Sequence, residues 1–298
     1  MKKSKTFIAC FIVPCLIVLA VTYFYPVART LLMSFFKTGS VTAPISTWTF
    51  AGLTNFKRIA MSPDFRQGLV NMLKIWIIGG IFAISLSLLF AVILSHKNIR
   101  GKHFFRAIVY LPNVISAVAI GNAWLYYVYN YDFGLINTVL GWFGVEHIKW
   151  LGPDLKFGAM LAAIIFGVVG YYMMVFIGGI ERIPEDVMEA ATLDGANAWQ
   201  KLTKITLPLL KGTTKTIMTF WTIVAVQSFV WTKVFSPITT ESSTIVPISY
   251  MYEILFGSLQ SPEVDIGTGA AVGVLVAIII MIITSVINRL FKTDDLEL

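Results

Sequence analysis

Six stretches of this chain are too apolar and too long to be anything but membrane spans. They are Phe7–Tyr25, Ile75–Leu94, Ala107–Tyr127, Phe157–Ile180, Thr213–Val234 and Gly267–Leu290. A helix needs about 20 mostly apolar residues to cross the hydrocarbon core of a bilayer, and each run is close to that length. Composition agrees: 57% of the residues are hydrophobic and 13% charged, against about 25% charged in a soluble domain. The expected fold is therefore all-α and polytopic, with six transmembrane helices in one bundle. No connection between the runs is long enough for a second globular domain, so residues 1–298 read as one transmembrane domain.

The net charge of +7 could suggest a nucleic-acid partner, but its distribution points to topology instead. Lys2, Lys3 and Lys5 precede the first run. Lys97, Arg100, Lys102 and Arg106 follow the second, Arg182, Lys201, Lys204 and Lys211 follow the fourth, and Arg289 and Lys292 end the last. With six spans these four segments share one side, and short basic loops stay in the cytoplasm. Both termini are thus expected in the cytoplasm, with the chain in the cytoplasmic membrane of a prokaryote and no nucleic acid bound. Arg29, Lys37, Lys57, Arg58 and Arg66 dilute the contrast on the other side. The first run continues to Tyr25 without an A-x-A site, so it reads as an uncleaved helix rather than a signal peptide. Cys10 and Cys15 lie within it as small apolar residues, and neither a disulfide framework nor a zinc spacing is present.

Three outward segments separate the spans. The first, Val27–Gln67, reads as an external cap in which Trp48 and Phe50 could anchor at the interface. The second, Asn130–Lys156, holds a short helix over Phe133–Leu140, and the third, Ser236–Asp265, another over Tyr250–Phe256. The second transmembrane helix is expected to begin near Asn71. Leu111-Pro112 should kink the third.

One inward segment is unlike the rest. Pro184 suits the first turn of a helix, where its missing N–H costs nothing. Glu185 and Asp186 complement the positive end of that helix, and Asp194-Gly195 stops it. A second helix is expected from Ala196 through Lys204, ended by Leu207-Pro208. The product is a small, rigid helix-turn-helix, with Ala190 and Ala191 small enough for close approach and Glu189 free for a charged contact or a cap. Its spacing is Glu189-Ala190-Ala191, three residues, Gly195, nine residues, then Ile205-x-Leu207-Pro208. This resembles the EAA loop of binding-protein-dependent ABC importer permeases at every position. The resemblance extends to Ala51–Phe56, to Phe105-Arg106 with Leu111-Pro112, and to Gly134–Asn137 with Trp150-Leu151, which are similar to segments of the carbohydrate branch related to the maltose and glycerol-phosphate permeases. One departure stands out. Where that branch often carries Thr-x-Gly-Gly-Pro after the fifth span, Phe235–Thr240 here lacks the glycines.

The resemblance implies a MetI-like type I ABC importer permease fold. It implies that Glu189, Ala190, Ala191, Asp194, Gly195, Ile205, Leu207 and Pro208 couple the chain to an ATPase. It further implies a second related permease, two ATPase subunits and an extracellular solute-binding protein as partners, with ATP and magnesium held by the ATPases and no cofactor or metal on this chain. A solute path needs polar groups and aromatic faces. Gly167 and Tyr171 in the fourth span, Gln227, Ser228 and Trp231 in the fifth, and Asn122 in the third meet that need and suit a sugar. No carboxylate lies mid-span, which disfavours an ion-driven secondary transporter. No phosphate-binding loop is present, which disfavours an intrinsic ATPase. Glycerol-phosphate or another polar solute is the alternative cargo. Lys74, Lys215 and Lys233, near span ends, are expected to snorkel toward the interface.

Overall fold

The computed structural model describes residues 5–96, 99–257 and 264–291; Lys2, Lys3, Lys97 and Lys292 lie outside them. Among the described residues, the regular structure is helical apart from one two-stranded hairpin. Among the described residues, four helices are long and apolar enough to cross a membrane: Cys10–Met33, Pro63–Ser95, Lys156–Ile180 and Ile266–Leu290. Two bent pairs, Lys102–Val114 with Ala117–Val128 and Lys211–Val226 with Phe229–Phe235, complete the expected six if each pair is one span. Contacts divide the chain into two units, one of residues up to Arg66 with Tyr250–Ile278, the other of Gln67–Ser249 with the remainder.

In the first unit the opening helix runs to Met33, past the expected end at Tyr25. Pro26 does not stop it, because the π turn Ala20–Phe24 precedes that proline and Tyr25 N–H bonds Ala20 O. The wider turn moves the backbone away from the proline ring, which would otherwise strike the carbonyl four residues back. Beyond it, Phe36–Lys37 pairs antiparallel with Thr49–Phe50. Asn55 is buried beneath this hairpin, its amide donating to Ser34 O at 2.9 Å and Phe36 O at 3.1 Å. Trp48 is not an interfacial anchor. It packs against Met33, Phe36, Ile266 and Ala270, and its indole N–H donates to Ala43 O at 3.1 Å. Phe50, the cross-strand partner of Phe36 whose ring it touches, stays exposed. Arg58 pairs with Asp265, whose other oxygen caps the last span by accepting Thr268 N–H at 3.0 Å.

In the second unit the fourth span is the most buried, and the others pack around it. Ser87 of the second span donates across to Val169 O at 2.9 Å. Trp221 of the fifth donates to Trp76 O at 2.8 Å, and Trp76 returns a bond to Thr222 at 2.9 Å. A polar group in an apolar core is tolerated because it is bonded, and each such bond fixes one span's register on the next. The second helix begins at Pro63 rather than near Asn71. Asn71 is instead buried about two helical turns into it, donating to Ser242 O and Ile245 O, both at 2.9 Å. The two external helices form at Leu135–Gly141 and Pro247–Phe256.

The third span does not merely kink at Pro112. It ends at Val114, turns by 100° through extended Ile115 and Ser116, and restarts with Ser116 Oγ accepting Ala119 N–H at 3.2 Å. The proline removes one helical bond; the serine supplies a cap for a new helix, which converts a kink into a break.

Candidate functional site

The segment after the fourth span folds as a helix-turn-helix. Pro184 (φ −57°, ψ 136°) is the cap residue rather than the first helical one, and Val187 N–H bonds its carbonyl at 3.2 Å. The first helix, Glu185–Leu193, carries Glu185 and Asp186 in its first turn. It ends in two bonds that explain the sequence spacing: Ala196 N–H to Ala191 O at 2.9 Å and Gly195 N–H to Thr192 O at 3.1 Å. This is the Schellman ending, which needs a left-handed residue four positions after the carbonyl that closes the wider ring, here that of Ala191. Gly195 supplies it with φ +74°. Ala191 is therefore buried inside the turn, while Glu189, Ala190, Asp194 and Gly195 are exposed. Of the two alanines, only Ala190 offers its surface to an outside partner.

The second helix is capped by Asn197, not by Glu189. Gln200 N–H donates to Asn197 Oδ1 at 2.9 Å, and Asn197 N–H donates to Gln200 Oε1 at 2.8 Å. The Asn-x-x-Gln spacing of this capping box was legible in the sequence. Lys201 bridges to Thr192 Oγ1 at 2.7 Å, holding the two helices together. The helix does not end at Leu207-Pro208. A π turn, Leu202–Thr206, again precedes the proline, Leu207 N–H bonds Leu202 O, and the helical path continues to Leu209. Ile205 and Leu207 are half-buried and Pro208 exposed. Two residues that the sequence reading passed over stand out on this loop: Leu193 is 89% exposed and Trp199 70%. At its root, Arg106 of the third span donates to Leu94 O at 3.0 Å and to Glu181 at 3.1 Å.

The six solute-path candidates separate into three groups. Gly167 and Trp231 are buried against each other, and Ser228 is buried with its hydroxyl donating to Ala225 O at 2.9 Å. Gln227 and Ser228 are also the 44° break of the fifth span, with ψ of 21° and 13°. Gln227 is exposed there. Tyr171 lines a cavity of about 290 Å³ with Asn113, Tyr172 and Phe220. Tyr172 was not singled out from sequence. It is 1% exposed, and its hydroxyl has no hydrogen-bond partner among the described residues. Asn122 lies elsewhere, in a cavity of about 860 Å³ between the far ends of the third, fourth and fifth spans. Tyr129, just past the third span, lines that larger cavity and donates to Ala159 O at 3.0 Å. Burial pushes its phenol up to about 12, so it stays neutral and adds no charge to the cavity at physiological pH.

Residues 83–293 match the sequence pattern of the family described as "Binding-protein-dependent transport system inner membrane component". The arabinooligosaccharides transport system permease protein AraP of Halalkalibacterium halodurans is 30% identical over 286 residues, covering 94% of this chain and 85% of that one. The trehalose/maltose transport system permease protein MalF of Thermococcus litoralis is 31% identical over 219 residues, covering 73% of this chain and 72% of its own. Among solved structures, a chain of a bacterial alginate ABC transporter in complex with an alginate pentasaccharide-bound periplasmic protein superposes with a TM-score of 0.83 at 20% identity, covering 98% of this chain and 97% of that one. That likeness is one of fold.

Proposed function

We propose, on the premise that this chain belongs to the family of binding-protein-dependent transport system inner membrane components, that it is the permease subunit of an ABC importer that moves a sugar or oligosaccharide across the cytoplasmic membrane. Relatives named for arabinooligosaccharide and trehalose/maltose transport support the sugar cargo. The observation that carries the mechanism is the rigid helix-turn-helix at the end of the most buried span, with Leu193 and Trp199 uncovered beside exposed Glu189 and Ala190. Large apolar side chains left bare on a loop suit a partner surface. We assign that partner as an ATPase subunit, present twice, which binds ATP and magnesium. A second related permease and an extracellular solute-binding protein complete the assembly, and residues 1–298 act as one permease domain.

In this reading the loop is cytoplasmic, as are both termini, in keeping with the basic residues that flank it. Closure of the ATPase pair pushes the loop. The push enters the fourth span directly and the third through the Arg106 link to Glu181. The broken third and fifth spans offer places where helix segments can reorient, and unwound backbone at membrane depth is where transporters bind solute. Tyr171, with Tyr172, Asn113 and Phe220, forms the solute contact we assign; the unpartnered Tyr172 hydroxyl suits a sugar hydroxyl. Gly167 and Trp231 support that site by packing.

The test is uptake of solute in cells carrying Gly195→Pro. Proline cannot adopt the left-handed φ and lacks the N–H that bonds Thr192 O. Uptake should vanish while the amount of chain in the membrane stays normal. Full uptake by a well-inserted variant would refute the coupling role.

A further inference from the structure

The cavity of about 860 Å³ lies at the opposite end of the fourth span from the helix-turn-helix. The span's 25 residues, from Lys156 at the cavity to Ile180 before the loop, amount to roughly 37 Å of helix at 1.5 Å per residue. If the loop meets an ATPase on one side of the membrane, this cavity opens on the other. Its volume is near the top of the range of about 300–1,000 Å³ seen for small-molecule sites.

Its walls carry an unusual set of groups. Lys149 comes from the second external segment, Lys156 from the start of the fourth span, and Lys233 from the end of the fifth. Among the described residues, no acidic one lines it. Lys149 sits 5.8 Å from the centre of the Tyr131 ring. Lys156 binds Glu241 at 2.5 Å with one of its three donors, and Lys233 donates to Thr240 at 2.9 Å. Snorkelling would explain one lysine reaching outward at a span end. It does not explain three, from three separate segments, around one space between spans. Beside them stand Tyr126, Trp150 and the amide of Asn122. Aromatic faces stack on the C–H faces of sugar rings, amides bond hydroxyls, and ammonium groups bind carboxylate or sulfonate oxygens as charge-assisted donors. A neutral sugar would use the first two, whereas an anionic one would also engage the ammonium of Lys149 and the two donors of Lys156 that Glu241 does not take.

We infer that this outer cavity is a binding site for an anionic oligosaccharide, one bearing carboxylate or sulfonate groups, which it holds before passage. This deepens the importer reading and rests on it. Positive charge here also steers an anion toward the mouth of the path.

The test uses the complex that purifies with this chain, placed in nanodiscs of neutral lipid. It is titrated calorimetrically with trigalacturonate, as the anionic probe, and with maltotriose, as the neutral one. The wild type should bind trigalacturonate at least about tenfold more tightly than maltotriose, and Lys149→Gln and Lys233→Gln should each weaken trigalacturonate by about tenfold while leaving maltotriose unchanged, the size expected of one hydrogen bond to a charged group. Equal affinity for the two probes, or lysine variants that bind trigalacturonate as the wild type does, overturns the inference. Anionic headgroups are the competing source of the same chemistry. If the lysine variants lose co-purifying anionic lipid but keep trigalacturonate binding, the lysines serve lipid and the inference falls. Co-purification of an ATPase is scored in the same preparation. A complex that holds its ATPase and ignores trigalacturonate refutes the anionic site alone. A chain recovered without an ATPase refutes the importer reading and this inference with it.

Discussion

Asn137 is completely buried and uses all of its hydrogen-bonding capacity. Its amide donates to Tyr131 O at 3.1 Å and Ile148 O at 3.0 Å, and its carbonyl accepts Ile148 N–H at 3.1 Å and Trp150 Nε1–H at 2.9 Å. One side chain thus closes the second external segment on itself and sets the position of Trp150 in the larger cavity. Each buried group left unpaired costs about 1–3 kcal/mol. Asn137→Ala should therefore loosen this segment, read as faster proteolytic cleavage between residues 130 and 156, with the rest of the chain unchanged; protection equal to the wild type would contradict the role. Gly195 and Asn137 differ in how far sequence could reach them. A left-handed residue after a short helix has few solutions, so spacing alone located Gly195 and its turn. Asn137 was noticed only as part of a resemblance, because nothing local in Leu135-Ile136-Asn137 says that the polar face turns inward. The same limit hid Trp48, whose burial depends on Ile266 and Ala270, more than 200 residues away in sequence.

At the scale of elements, prolines are handled in two ways. Pro26 and Pro208 each follow a π turn and leave the helical path continuous, whereas Pro112 is followed by Ser116 and the span breaks. The sequence reading placed an end at Pro208 and a kink at Pro112. A proline marks where backbone bonds are lost, but how the neighbours restore them is decided by residues on either side and by the helices packed nearby. The approach of the third span to the fourth shows that second influence. A Cβ on Gly170 would lie 2.1 Å from Val109 O and 2.6 Å from Tyr110 Cα, both backbone atoms that cannot rotate away. Gly170→Ala must therefore push the two helices apart, at a cost of about 1–3 kcal/mol typical of overpacking. The variant complex should melt several degrees below the wild type in detergent. An unchanged melting temperature would mean that the two helices do not meet there.

At the scale of the molecule, the fourth span is buried from several sides, while the apolar window of the first has none of its residues buried within the described chain. Phe11, Leu16, Ile17, Val21 and Phe24 all remain exposed on it. Such a helix must be covered from outside the described chain, and the helix-turn-helix after the fourth span likewise leaves Leu193 and Trp199 bare, the surface on which the proposed coupling to an ATPase rests. The six apolar runs, their order and the loop that follows the fourth were legible in the sequence because hydropathy and spacing are local. The breaks in the third and fifth spans, the two cavities and the hydrogen bonds between spans were not, because each arises where distant segments meet. The central claim is that this chain works only as part of an ATP-driven assembly, and gentle affinity purification from its native membrane, followed by mass spectrometry of what accompanies it, tests that claim most directly. An ATPase and a second six-span permease should be recovered with it, and replacing Leu193 and Trp199 together by Asp should deplete the ATPase while retaining the permease. Recovery of this chain alone, under conditions that keep other ABC complexes intact, would contradict the account.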